Sequence, residues 1–162
     1  MALSNQSGAL VLSTGNKSEL ATGYCTLYGD MCGGLSVISD LPKTTVYKLA
    51  KYINQREGKD LIPNDTITRA PTAELKPNQT DQDTLPPYDL LDQILNAHVE
   101  EHLPLKEIIK NDITKEMVQK VCNMIDKSEY KRQQAAPGLK LTSRSFGYGW
   151  RMPIAQRYRE HV

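Results

Sequence analysis

Residues 9–28 read ALVLSTGNKSELATGYCTLY, and this stretch decides the fold. The apolar run 9–12 is bounded by Ser7-Gly8 before it and by Ser13-Thr14-Gly15-Asn16 after it. A continuous apolar run of this length predicts a strand of a parallel sheet, buried on both faces. Residues 17–28 then predict a helix, with Leu20, Tyr24, Leu27 and Tyr28 on one face. Strand, small polar turn and helix make the repeating unit of an α/β sheet. Ligands of such sheets bind at the turn that follows the carboxyl end of the strand.

Working outward, Tyr28-Gly29-Asp30 and Gly33-Gly34 predict a loop, and residues 35–39 (LSVIS) a short strand or extended stretch. Asp40-Leu41-Pro42 opens a helix with proline early in its first turn. Val46, Leu49, Ala50 and Ile53 follow at helical spacing, and Gly58 ends the helix. Residues 66–69 are short and β-branched, a second doubtful strand before Pro71. Residues 76–87, KPNQTDQDTLPP, carry three prolines and no apolar periodicity, which predicts a mobile loop. An amphipathic helix starts at Tyr88, with Leu91, Ile94, Leu95, His98 and Val99 on one face. Two more helices are expected over 107–109 and 114–125, the second capped by Thr114. Strand content is thin for a self-sufficient α/β domain.

Composition excludes several classes. The chain has 162 residues, 39% hydrophobic and 24% charged, with a net charge of +1. That balance gives no global case for a nucleic-acid coat or a membrane-surface protein. Nineteen glycines and prolines are an ordinary share, against collagen-like or low-complexity chains. Apolar runs stay well short of the roughly 18 residues of a membrane span, and the first fifteen residues lack a basic region and long apolar core of a secretory signal. Cys25, Cys32 and Cys122 are odd in number and fit no metal spacing, so free thiols in a cytoplasmic protein are expected. The sequons at Asn5, Asn16, Asn64 and Asn78 are then expected to stay unglycosylated.

Three patterns admit a chemical reading beside an ordinary one. HVEEH at 98–102 matches a zinc-peptidase pattern with His98 and His102 one helical turn apart. Equally, His98 can continue the apolar stripe of its helix while His102 ends it. In the turn 13–16, Thr14 and the amides of the helix start suit a phosphate, and Glu19 suits Mg²⁺ or a polar ligand group. The alternative is plain helix capping, with Glu19 favoured by the helix dipole. Charge is also uneven: residues 77–105 hold six acids and no Lys or Arg, whereas 131–159 hold seven bases and no acid. The basic segment, interleaved with Phe146, Tyr148 and Trp150, suits nucleic acid, a polyphosphate, or a solvated surface.

Longer motifs carry a resemblance. STGNKSE (13–19), TLYGDMCGG (26–34), SDLPKT (39–44), APTAELKPNQTDQDTLPPYD (70–89), EYKRQQAAPG (129–138) and SRSFGYGWRMPIAQRY (143–158) stand in one order. With them the chain resembles the glutamine-dependent NAD synthetases, over the synthetase part and nearly all its length. The resemblance implies an α/β fold: the C-terminal portion of an adenine nucleotide α-hydrolase-like, parallel-sheet domain, mostly helical in this chain. It implies ATP-dependent amidation of deamido-NAD to NAD through an adenylated nicotinate, with ATP and Mg²⁺ as cofactors and ammonia drawn from glutamine. It implies Thr14, Lys43 and Thr72 at ATP, Glu19 at Mg²⁺ and deamido-NAD, and Lys131 at deamido-NAD. It implies Asp81 and Asp83 as catalytic-loop residues, in a lid over 76–87. It also implies a homodimer or higher homo-oligomer, in the cytoplasm, with neither nucleic acid nor membrane as partner.

Departures limit the transfer. Leu27 and Gly34 stand where smaller, ammonia-dependent relatives have a lysine and, nearby, an aspartate, so those substrate contacts are not carried over. The S-G-G-x-D-S pyrophosphate loop and the glutaminase part of the family are absent from these residues. The expectation is therefore one synthetase-domain piece over 1–162, with a basic segment 131–162. Its alternative is a non-catalytic piece that binds nucleotide or self-associates without turnover. An exposed apolar edge, self-association and no activity by itself are expected of such a piece.

Overall fold

The computed structural model describes residues 1–72, 77 and 79–158. A short helix, α1 (Ala2–Ser7), buries none of its residues and leads into strand β1 (Leu12–Ser13). β1 pairs in parallel with β2 (Leu35–Ser36), Leu12 opposite Leu35 and Ser13 opposite Ser36. Ser36 also bridges to Gly138, so the sheet continues toward the C-terminal segment. Between the strands Gly33 passes so close to β1 that a Cβ there would stand 2.8 Å from the Ser13 nitrogen.

Of the residues 9–12 read as a strand only Leu12 is in one: the parallel strand is β1 at Leu12–Ser13, and it is not buried on both faces. Leu10 is 63% exposed and Leu12 52%, because among the described residues β1 has a neighbour on one edge only. The helix read over 17–28 is shorter, α2 (Lys17–Thr22). It stops at Gly23, whose φ of 70° is left-handed and whose Cβ would collide with Ser128. The next helix forms as expected, α3 (Lys43–Glu57), closed by Gly58 at φ 62°, yet none of its residues is fully buried. The β-branched residues 66–68 are helical, in α4 (Asn64–Thr68), where the Thr68 hydroxyl bonds back to the Asn64 carbonyl at 3.0 Å. Local hydrogen bonding overrides strand propensity there.

The segment 76–87 is not one uniform loop. Lys76 and Asn78 lie outside the described residues. A tight 3₁₀ turn follows at Asp81–Asp83, and Leu85, 3% exposed, plugs into the core. An apolar stripe is not needed when one leucine between prolines finds a pocket. Then come α5 (Tyr88–Leu95), a π-helical turn over Asn96–Glu100, α6 (Leu105–Ile108), α7 (Lys115–Lys127) and α8 (Glu129–Arg132). Thr114 caps α7 by accepting from the Met117 amide. Leu91, Ile94, Val99, Val118, Val121 and Ile125 are wholly buried at the α5–α7 contact, with Ala21 of α2 against them. Each contributes about 1.5–3 kcal/mol on burial, alanine excepted. Among the described residues no helix is long and apolar enough to cross a membrane.

Candidate functional site

The functional candidates gather at the N-termini of α2 and α3. Asn16 caps α2: its side chain accepts from the Glu19 amide, and Glu19 accepts from the Asn16 amide at 3.0 Å. This capping box fixes the Glu19 carboxylate at the first turn. Its other oxygen meets the Lys43 ammonium at 3.0 Å, with both side chains partly open, 17% and 18% exposed. Lys43 is the first residue of α3, where the helix dipole disfavours a cation. Glu19 offsets that, and the rings of Tyr47 and Tyr88 stand 5.7 and 5.5 Å from the ammonium.

Lys43 and Thr72 border one cavity of about 470 Å³, together with Tyr47, Thr66, Arg69 and Pro71. Asp81 closes in from the side. It is 3% exposed, accepts from the Tyr88 hydroxyl at 2.6 Å, and its amide bonds the Pro71 carbonyl at 3.0 Å. Among the described residues its buried Oδ1 has no hydrogen-bond partner. Burial and the Asp81 carboxylate raise both the Tyr88 and the Tyr24 hydroxyls above the usual phenol range. So the fold brings Glu19, Lys43, Thr72 and Asp81 to one region.

The remaining candidates stand differently. Thr14 is exposed just past β1. Asp83 turns outward and caps its own turn, accepting from the Thr80 amide at 2.9 Å and the Thr80 hydroxyl at 3.0 Å. Lys131 reaches the other end of α2, donating at 2.7 Å to both the Gly23 and Cys25 carbonyls. Burial pushes the Cys25 thiol up to about 11, against the opposing pull of Lys131.

Sequence reading missed Lys17, the most enclosed cation of the site. It is 2% exposed and meets Asp40 at 2.9 Å, the Thr142 hydroxyl at 2.6 Å, the Arg144 carbonyl at 2.8 Å, and Glu100. Burial raises the Glu100 carboxyl, but hydrogen bonds from Lys17, Ser143 and Thr142 outweigh it and bring the group to about 2. Asp40 is likewise lowered: bonds from Thr142, Leu141 and Lys17 overcome its burial. Only the company of Asp40 in SDLP and Glu100 in HVEEH hinted at this, and neither is near Lys17 in sequence.

The zinc reading of HVEEH does not survive. His98 meets Trp150 edge-on at 5.1 Å, and His102 stacks on the same ring at 5.4 Å. Both histidines rest on one tryptophan, His98 from the π-helical turn and His102 from just beyond it. Among the described residues no three His, Cys, Asp or Glu side chains converge as a metal group needs. A Mg²⁺ ion in this region would meet the Glu19 carboxylate, which already pairs with Lys43. One carboxylate fits a hard cation which takes one or two carboxylates and its remaining ligands from phosphates and water. The basic segment also divides: Arg132 is buried against Glu129 at 2.9 Å and Lys131 caps α2, while residues 159–162 lie outside the described residues.

Residues 1–135, including this whole α2–α3 site, match the family described as NAD synthase. The chain belongs to the NAD synthase family. A glutamine-dependent NAD(+) synthetase of Synechocystis sp. is 57% identical over 158 residues, 98% of this chain and 28% of the relative. One of Thermotoga maritima is 54% identical over 160 residues, 99% of this chain and 28% of the relative. This chain of the NAD synthase family thus spans little more than a quarter of those relatives. Among solved structures, a glutamine-dependent NAD(+) synthetase of Cytophaga hutchinsonii shares the fold with a TM-score of 0.74. It is 22% identical and covers 96% of this chain and 26% of its own. An NMN synthetase of Francisella tularensis gives a TM-score of 0.64 at 25% identity, over 87% of this chain and 49% of its own. The parallel pair with its helices is therefore part of the α/β domain of NAD synthetases.

Proposed function

We propose that the chain contributes the α2–α3 part of an ATP-dependent NAD synthetase site. In the first step a nicotinate carboxylate oxygen of deamido-NAD attacks the α-phosphorus of ATP, and pyrophosphate leaves. In the second, ammonia attacks the acyl carbon, loses a proton, and AMP leaves with its oxygen. A free carboxylate is a poor electrophile, whereas the adenylate has a good leaving group. Catalysis then needs positioning and neutralised phosphate charge. Lys43 supplies the ammonium for phosphate, and Thr14 and Thr72 hold the nucleotide. Glu19 provides a protein ligand for Mg²⁺, which would neutralise phosphate charge, and orients deamido-NAD. Asp81 and Asp83 belong to the segment that covers the reacting groups, and Lys131 serves deamido-NAD. Ammonia from glutamine, a homo-oligomer and the cytoplasm complete the reading.

One observation carries it: Lys43, in a chain of this family, is a partly open cation that among the described residues pairs with one carboxylate, Glu19, beside a nucleoside-sized cavity. The test is NAD formation from deamido-NAD, ATP and ammonia by the complete protein, with AMP and pyrophosphate formed in equal amounts. Absence of AMP during NAD formation would overturn the adenylate. A second reading rests on the exposed Leu10 and Leu12 edge: these 162 residues alone bind nucleotide or self-associate without turnover. Turnover by them alone at the rate of the complete protein would remove that reading.

A further inference from the structure

One face of α5 meets Lys43 directly through Tyr88 and indirectly through Asp92. Tyr88 and Asp92 are four residues apart on this helix and so share a face. The Tyr88 ring stands 5.5 Å from the Lys43 ammonium. Asp92, only 8% exposed, works on the backbone end instead. Its Oδ2 accepts from the Thr44 amide at 2.9 Å and from the Thr44 hydroxyl at 2.8 Å. Its Oδ1 accepts from the hydroxyl of the fully buried Ser18, and the same Ser18 oxygen accepts the Lys43 amide at 2.9 Å. Ser18 lies in α2 next to Glu19, the partner of the Lys43 ammonium.

These bonds close a circuit. A hydroxyl has one proton, and Ser18 gives it to Asp92, which leaves its lone pairs facing the Lys43 amide. The first amides of α3, orphaned by helix geometry, are thus satisfied by α2 and α5 and not by a cap of their own. Pro42, preceding Lys43, has no side-chain oxygen to do it. We infer that Asp92 is a positioning residue for this site: through Ser18 and Thr44 it sets the register of α3 against α2, and thereby the place of Lys43 opposite Glu19. The inference rests on the functional reading above and names the residue that makes it work.

Asparagine at 92 keeps shape and can keep one oxygen on Thr44, but its NH2 then faces the Ser18 hydroxyl, whose proton loses its acceptor. In the complete protein Asp92→Asn raises the KM for ATP about tenfold, with the KM for deamido-NAD changed less than about twofold. In a Lys43→Ala background the same change adds less than about threefold, since the two act through one group. Thr44→Val moves the ATP KM the same way by about threefold, and Thr44→Ser, which keeps the hydroxyl, restores it. If Asp92→Asn does not fold, this Thr44 pair decides. A merely structural Asp92 would lower kcat through lost active protein and leave both KM values alone. That result, or fully additive losses with Lys43→Ala, overturns the positioning role while the wild type still makes NAD. A wild type that makes no NAD from these substrates sinks the functional reading first and this inference with it.

Discussion

Two lysines open consecutive helices, and their surroundings differ. Lys17 starts α2 and Lys43 starts α3, each against an unfavourable helix dipole. Lys17 is 2% exposed and meets two carboxylates, a hydroxyl and a carbonyl, so its three protons are fully engaged. Lys43 is 17% exposed and, among the described residues, has one carboxylate and two ring faces. A closed cation holds elements together: here the α2 head, Asp40, the π-helical turn and residues 140–146. An open cation keeps capacity for an incoming anion. The same residue type at the same helix position is a staple in one place and a ligand group in the other.

The largest effect expected from this contrast is structural. Lys17→Met leaves Asp40 and Glu100 buried without their cation and should cost about 3–5 kcal/mol. Chemical denaturation measures it, and a loss below about 1 kcal/mol would show that Lys17 is no staple. Lys43→Ala should show the opposite profile. Stability falls by less than about 1 kcal/mol, as for a partly exposed pair. Turnover of ATP falls about 10²–10³-fold, the range for losing one preorganised charge-stabilising donor. A large stability loss with ATP kinetics intact would reverse the assignment of the two lysines.

Acid should act on the Lys17 cluster. The Glu100 carboxyl is held at about 2 in the folded protein, against 4.5 as its ordinary value. The unfolded chain therefore takes up the proton first as pH falls. The stabilisation is complete above about 4.5, declines between there and 2, and is worth on the order of 2 kcal/mol. Glu100→Gln should flatten that part of the stability–pH curve. An unchanged slope would mean that other carboxylates dominate acid unfolding. The smallest effect is expected at Lys131, which ties the end of α2 and touches neither cluster. Lys131→Ala loses its two bonds to carbonyls and should cost about 1–2 kcal/mol, read as a lower thermal midpoint. Its KM for deamido-NAD should rise more than that for ATP. Equal changes for both substrates would leave Lys131 a cap of α2 alone.

Much of this protein was legible in its residues. The parallel strand, the helix heads at Asn16 and Pro42, the Gly58 stop, the Thr114 cap and the α5–α7 stripe follow from periodicity and capping. These are local rules that act within one or two turns. Glu19 is readable from the turn itself, whereas Lys43 enters as a site residue only through the family resemblance, and the structure joins the two at 3.0 Å. What local rules could not supply were pairings across long stretches of chain. Lys17 reads as an ordinary exposed helix lysine, and only folding brings Glu100 and Thr142 to it. Only folding sets Ser128 where a side chain at Gly23 would collide with it, whereas the outward turn of Asp83 is a local matter of its Thr80 cap. HVEEH fits a zinc pattern as well as an apolar helix stripe, and only the fold sets both histidines against the Trp150 ring. Burial and charge compensation are sums over everything that packs around a group. A sequence states which groups can be compensated, and the tertiary structure alone decides by whom.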